Sequence, residues 1–312
     1  MNKNAIIVYI DKSEKCQKEF GWLWKSWLMW DINEKWDIVA LTNPEVIDRV
    51  KSNYEHVDCK FIPLEPSNKP GTIWDGYGFV NSFAMFESKK VDEIVDNYTY
   101  LLKTDCDVFL TKWFKDFIPA KGRIYIGNGG YYPLNWDEKG KKAADEITNK
   151  IKAASNAFGL KHKNISHVGA TILANRDMLK SIVTLQKYIT EKLLKYGWSK
   201  GDIGNWPGWF KGTASMYAIE VAVNAIVQPM QIHQGSLDCY CADNEIGSLD
   251  LHIHAWQQND SDIFNKKLWH ESKLPSKTYK DIPNISGDYC LMVANNDFET
   301  LRSLSNLSDK QN

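Results

Sequence analysis

The first hundred residues alternate between short apolar runs and stretches with helical periodicity. Four strands are predicted where β-branched and apolar residues run together between polar breaks, at 5–10, 36–42, 59–65 and 98–104. Three helices are predicted where apolar residues recur every three or four positions, at 13–30, 44–51 and 77–95. Short strand–helix–strand connections favour parallel pairing, so we predict an α/β fold with a mixed, mainly parallel sheet flanked by helices.

The remainder of the chain also contains both predicted strands and predicted helices, but they alternate less regularly. Further strands are predicted at 123–132, 167–175, 229–235 and 249–256. Further helices are predicted at 137–158, 177–196 and 214–227. Beyond about residue 275 the chain becomes polar. We therefore predict one domain over residues 1–275 and a C-terminal extension over residues 276–312 with a flexible end.

Charge and length exclude some classes of protein. The 312 residues carry 38 basic and 39 acidic side chains, which argues against a general nucleic-acid binder because such proteins usually have a basic excess. The N-terminal apolar stretch at 5–10 is too short for a signal peptide, and no apolar run reaches the length of a membrane span. We predict a soluble, cytoplasmic protein whose six cysteines are reduced, and no oligomeric state follows from the sequence.

Two carboxylates two residues apart end the fourth predicted strand. Asp105 and Asp107 follow the apolar run 98–104. In an extended segment, residues i and i+2 point to the same side, so both carboxylates can face one point. Parallel sheets bind ligands at the carboxyl ends of their strands. A divalent cation would relieve the repulsion between the two anions, because hard cations prefer oxygen ligands.

This order of elements, with an apolar fourth strand ending in Asp-Cys-Asp, resembles the GT-A fold of nucleotide-sugar glycosyltransferases. It is particularly similar to a chlorovirus-like group from large DNA viruses. The resemblance implies a hexosyl- or pentosyltransferase with a nucleotide-binding half at about 1–130 and an acceptor half at about 131–275. It implies that Asp105 and Asp107 bind Mn²⁺ or Mg²⁺, which holds a UDP- or GDP-linked sugar. The acceptor would be a glycan or another hydroxyl compound.

Two later segments extend the resemblance. The stretch HVGATILAN at 167–175 resembles the family's small-residue strand, which implies that Gly169 lies beside the donor sugar. The stretch LHIHAW at 251–256 resembles the segment whose histidine completes the metal shell, and we assign this role to His254. His252 shares a strand face with His254 by alternation. An imidazole beside two carboxylates favours Mn²⁺ over Mg²⁺.

Further donor contacts are expected around these residues. The resemblance implies a diphosphate-binding lysine after the metal histidine, at Lys266 or Lys267, and a base site at the end of the first strand. Lys103 shares the strand face of Asp105, so it could reach a phosphate or pair with that carboxylate. The candidate donor contacts are Tyr9, Ile10, Asp11, Lys69, Tyr77, Lys103, Gly169, Lys266 and Lys267.

The Gly- and Trp-rich stretch at 197–212 is the predicted acceptor site. Trp206 and Trp209 flank Pro207-Gly208, a turn that would expose their rings, and His167 is a further candidate acceptor contact. Buried anchoring of this loop is the alternative interpretation for the tryptophans. The candidates for the catalytic acid or base are Asp202 and Glu220; the latter lies in an otherwise apolar helical run, where a carboxylate is costly unless it is paired or functional.

Two other functions remain open from the sequence. A nucleotidyltransferase or another phosphoryl-transfer enzyme would also pair aspartates with a divalent ion. It should show a glycine-rich phosphate loop after the first strand, and VYIDKSEK contains no glycine. A non-catalytic carbohydrate-binding protein would suit the 13 tryptophans but would not require the acidic pair.

Overall fold

A computed structural model of the chain describes residues 3–132, 137–206, 208–242, 244–256 and 262–309. Pro207, at the centre of the predicted acceptor turn, lies outside the described residues. Within the described part of the chain, no helix is both long enough and apolar enough to cross a bilayer.

A seven-stranded sheet forms the centre of the protein. Its strands, in chain order, are β1 (Asn4–Ile10), β2 (Trp36–Thr42), β3 (Cys59–Pro63), β4 (Tyr100–Lys103), β6 (Ile124–Asn128), β7 (Val168–Asn175) and β8 (Ile232–Gln234). They are ordered β3-β2-β1-β4-β7-β6-β8 across the sheet. All pair in parallel except β7, which runs antiparallel to both of its neighbours. The predicted mixed, mainly parallel sheet is therefore confirmed.

A second, three-stranded sheet has the order β5-β10-β9. Its strands are β5 (Val108–Leu110), β9 (Cys239–Tyr240) and β10 (His252–His254). β5 begins directly after the acidic pair, and β10 runs antiparallel to it with His254 opposite Val108. This small sheet joins segments that are more than 120 residues apart in sequence, and it places His254 next to the acidic pair.

Helices cover both faces of the large sheet. They are α1 (Glu14–Met29), α2 (Ile47–Tyr54), α3 (Asn81–Ala84), α4 (Lys89–Val95), α5 (Glu138–Ala157), α6 (Arg176–Tyr196), α7 (Ala214–Ile226), α8 (Lys266–His270), α9 (Ser286–Asn295) and α10 (Phe298–Asp309). Alternate residues of β1 enter two separate cores. Ile7 packs with α3 to α7, whereas Ile6 and Val8 pack with α1, α9, α10 and the second sheet.

Three secondary-structure predictions need correction. The single helix predicted at 77–95 is broken into short helical turns, because Ser88 adopts an extended conformation between α3 and α4. Serine competes with the helix through hydrogen bonds to the backbone, which makes it a frequent boundary residue. The strands predicted at 229–235 and 249–256 shorten to the three-residue strands β8 and β10.

The polar region after residue 275 contains two packed helices. In α9, Tyr289, Leu291 and Val293 are fully buried or nearly so. The indole Nε1 of Trp30, the residue that follows α1, donates to the Tyr289 hydroxyl at 3.0 Å. The division of the chain at residue 275, and the division into two functional halves, stay predictions.

Candidate active site

The acidic pair lies in the connection between β4 and β5, at the carboxyl edge of the parallel strands. β4 ends at Lys103 and β5 begins at Val108, so Asp105 and Asp107 occupy the short link between the two sheets. The backbone N–H of Ala255 donates to the Asp107 carbonyl at 2.9 Å. This bond fixes the end of β10 beside the acidic pair.

Asp105, Asp107 and His254 converge on one point. Each offers a ligand atom, and these atoms lie within 4.8 Å of one another. His254 Nε2 is 3.2 Å from Asp107 Oδ1 and 3.9 Å from Asp105 Oδ2. Two carboxylates and one imidazole are a donor set that suits a divalent transition-metal ion such as Mn²⁺. The residues that the sequence indicated as metal ligands therefore fit such an ion in chemistry and in spacing.

Electrostatic interactions within this cluster favour the charged forms of Asp107 and His254. Burial alone would raise the pKa of Asp107, but the Lys266 ammonium and the His254 ring hold that pKa well below its ordinary value. Lys266 Nζ bonds to the second carboxylate oxygen, Oδ2. Burial lowers the pKa of His254, and Asp107 and Asp238 outweigh it and raise the pKa well above its usual range. Asp107 is therefore held as a carboxylate, the form that binds a cation.

Asp238 lies behind His254 and was not among the predicted site residues. Its Oδ1 is 3.0 Å from His254 Nδ1 and accepts a hydrogen bond from Thr171 Oγ1 at 2.6 Å. Its backbone N–H donates to His252 Nδ1 at 3.1 Å. His252 is fully buried, and burial lowers its pKa to about 4, so this ring stays neutral.

The cluster opens into a cavity of about 1200 Å³. We call one side of it the charged wall, which consists of Asp105, Asp107, Asp238, His254 and Lys266. We call another side the aromatic wall, which consists of Phe79, Trp206 and Phe210. Convergent polar groups in a concave site are typical of a small-molecule site, and this cavity is somewhat larger than most such pockets.

Several predicted donor and acceptor contacts line this cavity. At the end of β1 these are Tyr9 and Asp11, and in the loop after β3 it is Lys69. Lys266, at the start of α8, joins them through its contact with Asp107. Trp206 is 41% exposed, and its ring meets Phe210 edge to face at 6.5 Å.

Other predicted donor contacts do not line the cavity. Ile10 is fully buried in the core, and Lys267 is exposed on α8. Tyr77 is buried, and its hydroxyl accepts from the Ser215 backbone N–H at 2.9 Å. Lys103 is buried, donates to the Ala170 carbonyl at 3.0 Å, and burial lowers its pKa. Lys103 therefore bonds to the backbone of β7 and does not face the cavity.

The loop at 197–212 is anchored by one tryptophan and exposes the other. Trp209 is stacked between Trp198 and Tyr217, at ring-centroid distances of 5.1 and 4.4 Å, and its Nε1 donates to the Gly197 carbonyl. Buried anchoring therefore applies to Trp209, whereas Trp206 is exposed and its contact with an acceptor stays a prediction. His167, which is not a lining residue, stacks on Tyr132 at 3.8 Å.

The two candidates for the catalytic acid or base are also away from the cavity lining. Glu220 has no exposed surface, and its Oε2 accepts from the Tyr131 hydroxyl inside the core between α7 and the sheet. Asp202 is exposed, and its carboxylate accepts from the Gly204 backbone N–H at 2.8 Å. The structure gives each of these carboxylates a local partner.

Sequence reasoning missed Asp238, Glu19 and Phe79, all of which line the cavity. Asp238 had a weak signal, since it stands between the apolar residues Leu237 and Cys239. Glu19 lies on α1, where burial, and then the Asp107 charge, raise its pKa to about 7. Phe79 is 62% exposed in the region predicted as a regular helix, where it would have been counted as a surface position.

The fold and site together define an α/β protein with a carboxylate–imidazole cluster at the carboxyl edge of a mainly parallel sheet. The family model described as "Domain of unknown function (DUF7164)" matches residues 1–301. This chain belongs to that family. No protein in a search of curated proteins matches it.

Similar solved structures include several glycosyltransferases. The bifunctional glycosyltransferase WbbM is 10% identical with a TM-score of 0.45, and the match covers 97% of this chain and 51% of that one. The chain therefore spans about half the length of WbbM. The galactosyltransferase LgtC is 12% identical with a TM-score of 0.42, covering 74% and 73%. A glycosyltransferase involved in glycosylation of the major capsid of PBCV-1 is 10% identical with a TM-score of 0.36, covering 82% and 95%.

Proposed function

We propose that this protein is a metal-dependent glycosyltransferase that uses a nucleoside-diphosphate sugar as donor. One observation carries the proposal: Asp105, Asp107 and His254 converge at the carboxyl edge of the sheet and face a cavity of about 1200 Å³. Such edges are the usual ligand sites of open α/β sheets. The cavity is large enough to take a nucleotide and a sugar together.

The metal ligands in this proposal are Asp105, Asp107 and His254. The imidazole favours Mn²⁺ over Mg²⁺. A bound divalent ion supplies charge neutralisation for a diphosphate leaving group. Lys266 lies close enough to Asp107 to pair with it, so its ammonium can also contact the diphosphate that such an ion would hold.

The base of the nucleotide is assigned to the end of β1. Tyr9 and Asp11 line the cavity there, and Lys69 faces the same space from the loop after β3. The aromatic ring offers a stacking face, and the carboxylate can accept from a base N–H group. A UDP- or GDP-linked hexose or pentose fits this assignment.

The acceptor is assigned to the aromatic wall. Phe79 and Trp206 expose ring faces that can stack on the apolar face of a sugar. In the reaction, the bond from the anomeric carbon to the diphosphate oxygen breaks and the acceptor oxygen forms a new bond to that carbon. The nucleoside diphosphate and the hydroxyl proton are released. Asp202 and Glu220 do not line the cavity, so neither is assigned as the base for this proton.

The proposal includes a cytoplasmic location, in agreement with the prediction of reduced cysteines. The six cysteines are free thiols in the structure, and their reduced state in the cell is part of this proposal.

A thermal-shift screen tests the proposed function directly. A ligand that binds only the native protein raises its apparent stability by mass action. We expect one nucleoside-diphosphate sugar to raise the melting temperature in the presence of Mn²⁺, and a chelator to remove the shift. Transfer of the sugar from that donor to a panel of glycans, followed by mass spectrometry, identifies the product. If no nucleotide sugar stabilises the protein with Mn²⁺ or Mg²⁺, the proposal is wrong.

A further inference from the structure

Asp238 is the most deeply buried carboxylate on the charged wall. It is 2% exposed, and three polar groups surround it. Oδ1 lies 3.0 Å from His254 Nδ1 and 2.6 Å from Thr171 Oγ1, and the backbone N–H contacts His252 Nδ1. Burying a carboxylate costs free energy unless the group is paired and hydrogen-bonded. His254 and Thr171 supply these partners for Asp238.

The backbone around Asp238 is shaped to hold its carboxylate against His254. Asp238 has a φ of 53°, in the left-handed region that non-glycine residues seldom adopt. A Cβ atom on Gly127 would lie 1.9 Å from Asp238 Oδ2, and one on Gly169 would lie 2.6 Å from the same oxygen. Both glycines therefore provide the space that this carboxylate occupies. The absence of a side chain at position 169 is therefore explained by the space that Asp238 needs, without a bound sugar.

Asp238 is also connected to the acidic pair through hydrogen bonds to His252 and Thr104. Because His252 Nδ1 accepts from the Asp238 backbone N–H, the proton of the neutral ring is on Nε2. That Nε2 is 2.8 Å from Thr104 Oγ1 and donates to it. Thr104 immediately precedes Asp105. Asp238 thus holds one histidine with its side chain and the other with its backbone.

We propose that Asp238 is a positioning residue that orients His254 for metal binding. By accepting from Nδ1–H, its carboxylate leaves Nε2 directed at Asp105 and Asp107. A carboxylate behind a metal-ligating histidine fixes the ring and raises its basicity as a ligand. This inference rests on the proposed metal site, and it adds that Asp238 controls metal affinity without being a ligand.

The experiment measures Mn²⁺ affinity in two matched pairs of variants. Asp238→Asn keeps an oxygen that can accept from Nδ1–H, whereas Asp238→Ala removes it. Asp37 is an equally buried carboxylate on β2, paired with Lys3 and the Tyr98 hydroxyl and separate from the cavity. Asp37→Asn and Asp37→Ala therefore control for the loss of a buried paired carboxylate.

We expect Asp238→Ala to weaken Mn²⁺ binding about 10- to 100-fold, measured by EPR detection of free Mn²⁺, and Asp238→Asn to weaken it less. The Asp37 variants should lose thermal stability but keep wild-type Mn²⁺ affinity. In metal-free protein, ¹⁵N NMR of the imidazoles should show the His254 Nδ1–H bond in wild type and its loss in Asp238→Ala.

Two outcomes would overturn the inference, and only the second also contradicts the proposed metal site. If wild type binds Mn²⁺ and both Asp238 variants bind it equally well, Asp238 does not position the ligand and the proposed function stands. If wild type binds no Mn²⁺ with or without a nucleotide sugar, the metal site itself is wrong and the inference falls with it.

Discussion

The two walls of the cavity are built in different ways. On the charged wall, Asp107, Asp238 and His254 are buried and joined by hydrogen bonds that continue into both sheets. On the aromatic wall, Phe79 lies in a short 3₁₀ turn and Trp206 in a loop, and large parts of both side chains are exposed. Side chains held by strands and by a hydrogen-bond network are preorganised for one reaction. Aromatic side chains on turns and loops can adapt to different ligands. We infer that the charged wall determines the reaction and the aromatic wall determines the acceptor.

The largest expected effect comes from the charged wall. Asp107→Asn removes a charge from the proposed metal site, so we expect transfer to fall about a thousandfold and Mn²⁺ binding to weaken with it. Initial rates at saturating donor and acceptor measure the loss. Asp145→Asn, an exposed substitution on α5, should leave both quantities unchanged. A variant at Asp107 with wild-type, Mn²⁺-dependent transfer would show that this wall does not carry the reaction.

A smaller effect is expected from the aromatic wall. Trp206→Ala and Phe79→Ala should each raise the KM for the acceptor about 3- to 10-fold, since an aromatic contact contributes about 0.5–1.5 kcal/mol. Mn²⁺ affinity and donor KM should not change. Steady-state kinetics with each substrate varied in turn separates these constants. A change in donor KM instead would contradict the division between the walls.

Trp209→Ala is the matched control for the aromatic wall. Trp209 lies in the same loop as Trp206 but is stacked between two rings and is 7% exposed. Removing a buried tryptophan side chain typically destabilises a protein by about 3–5 kcal/mol. We therefore expect a lower melting temperature from this variant, without a selective change in the acceptor KM.

The last prediction concerns folding stability rather than transfer, and it involves Glu19, a cavity-lining residue on α1. Burial raises its pKa to about 7, so between the ordinary carboxyl pKa and pH 7 the folded protein keeps a proton that the unfolded chain has released. Folding stability therefore falls as pH rises through this window, and the full penalty is present above pH 7. Glu19→Gln removes the penalty while keeping an oxygen near His270 Nε2.

Thermal unfolding at pH 5 and pH 8 measures this effect. We expect Glu19→Gln to gain on the order of 2 kcal/mol relative to wild type at pH 8 compared with pH 5. Equal differences between variant and wild type at the two pH values would show that the folded protein does not hold the proton on Glu19.

The strands of the regular half were predictable, because their patterns are local. β1 is apolar from Ala5 to Ile10, and β2 is apolar apart from Asp37 and Thr42, as is typical of strands buried on both faces; their bounds agree with the prediction to within one residue. The acidic pair was visible for the same reason, since Asp105 and Asp107 interrupt such a run at its end. The break at Ser88 was not visible, because the apolar spacing on both sides of it fits a continuous helix.

The contacts between site residues could not be predicted from local sequence patterns. Thr171 and Asp238 are separated by 67 residues, and Asp107 and His254 by 147, which is far beyond the length of any local pattern. Glu220 is the converse case, because its place in an apolar helix gave a signal in the sequence. The structure places it in the core with its Oε2 bonded to the Tyr131 hydroxyl, and a catalytic role for it stays a prediction.

The sequence by itself determined the alternation of strands and helices, the parallel sheet and the carboxylates at its edge, because hydrophobic periodicity and β-branched runs act over a few residues. Only the tertiary structure decided which groups meet at that edge. The small sheet β5-β10-β9 brings His254 and Asp238 to Asp107, and chain folding brings Phe79 and Trp206 to the lining of the same cavity. Contacts of this kind depend on strand pairing across long sequence separations, which local patterns do not encode.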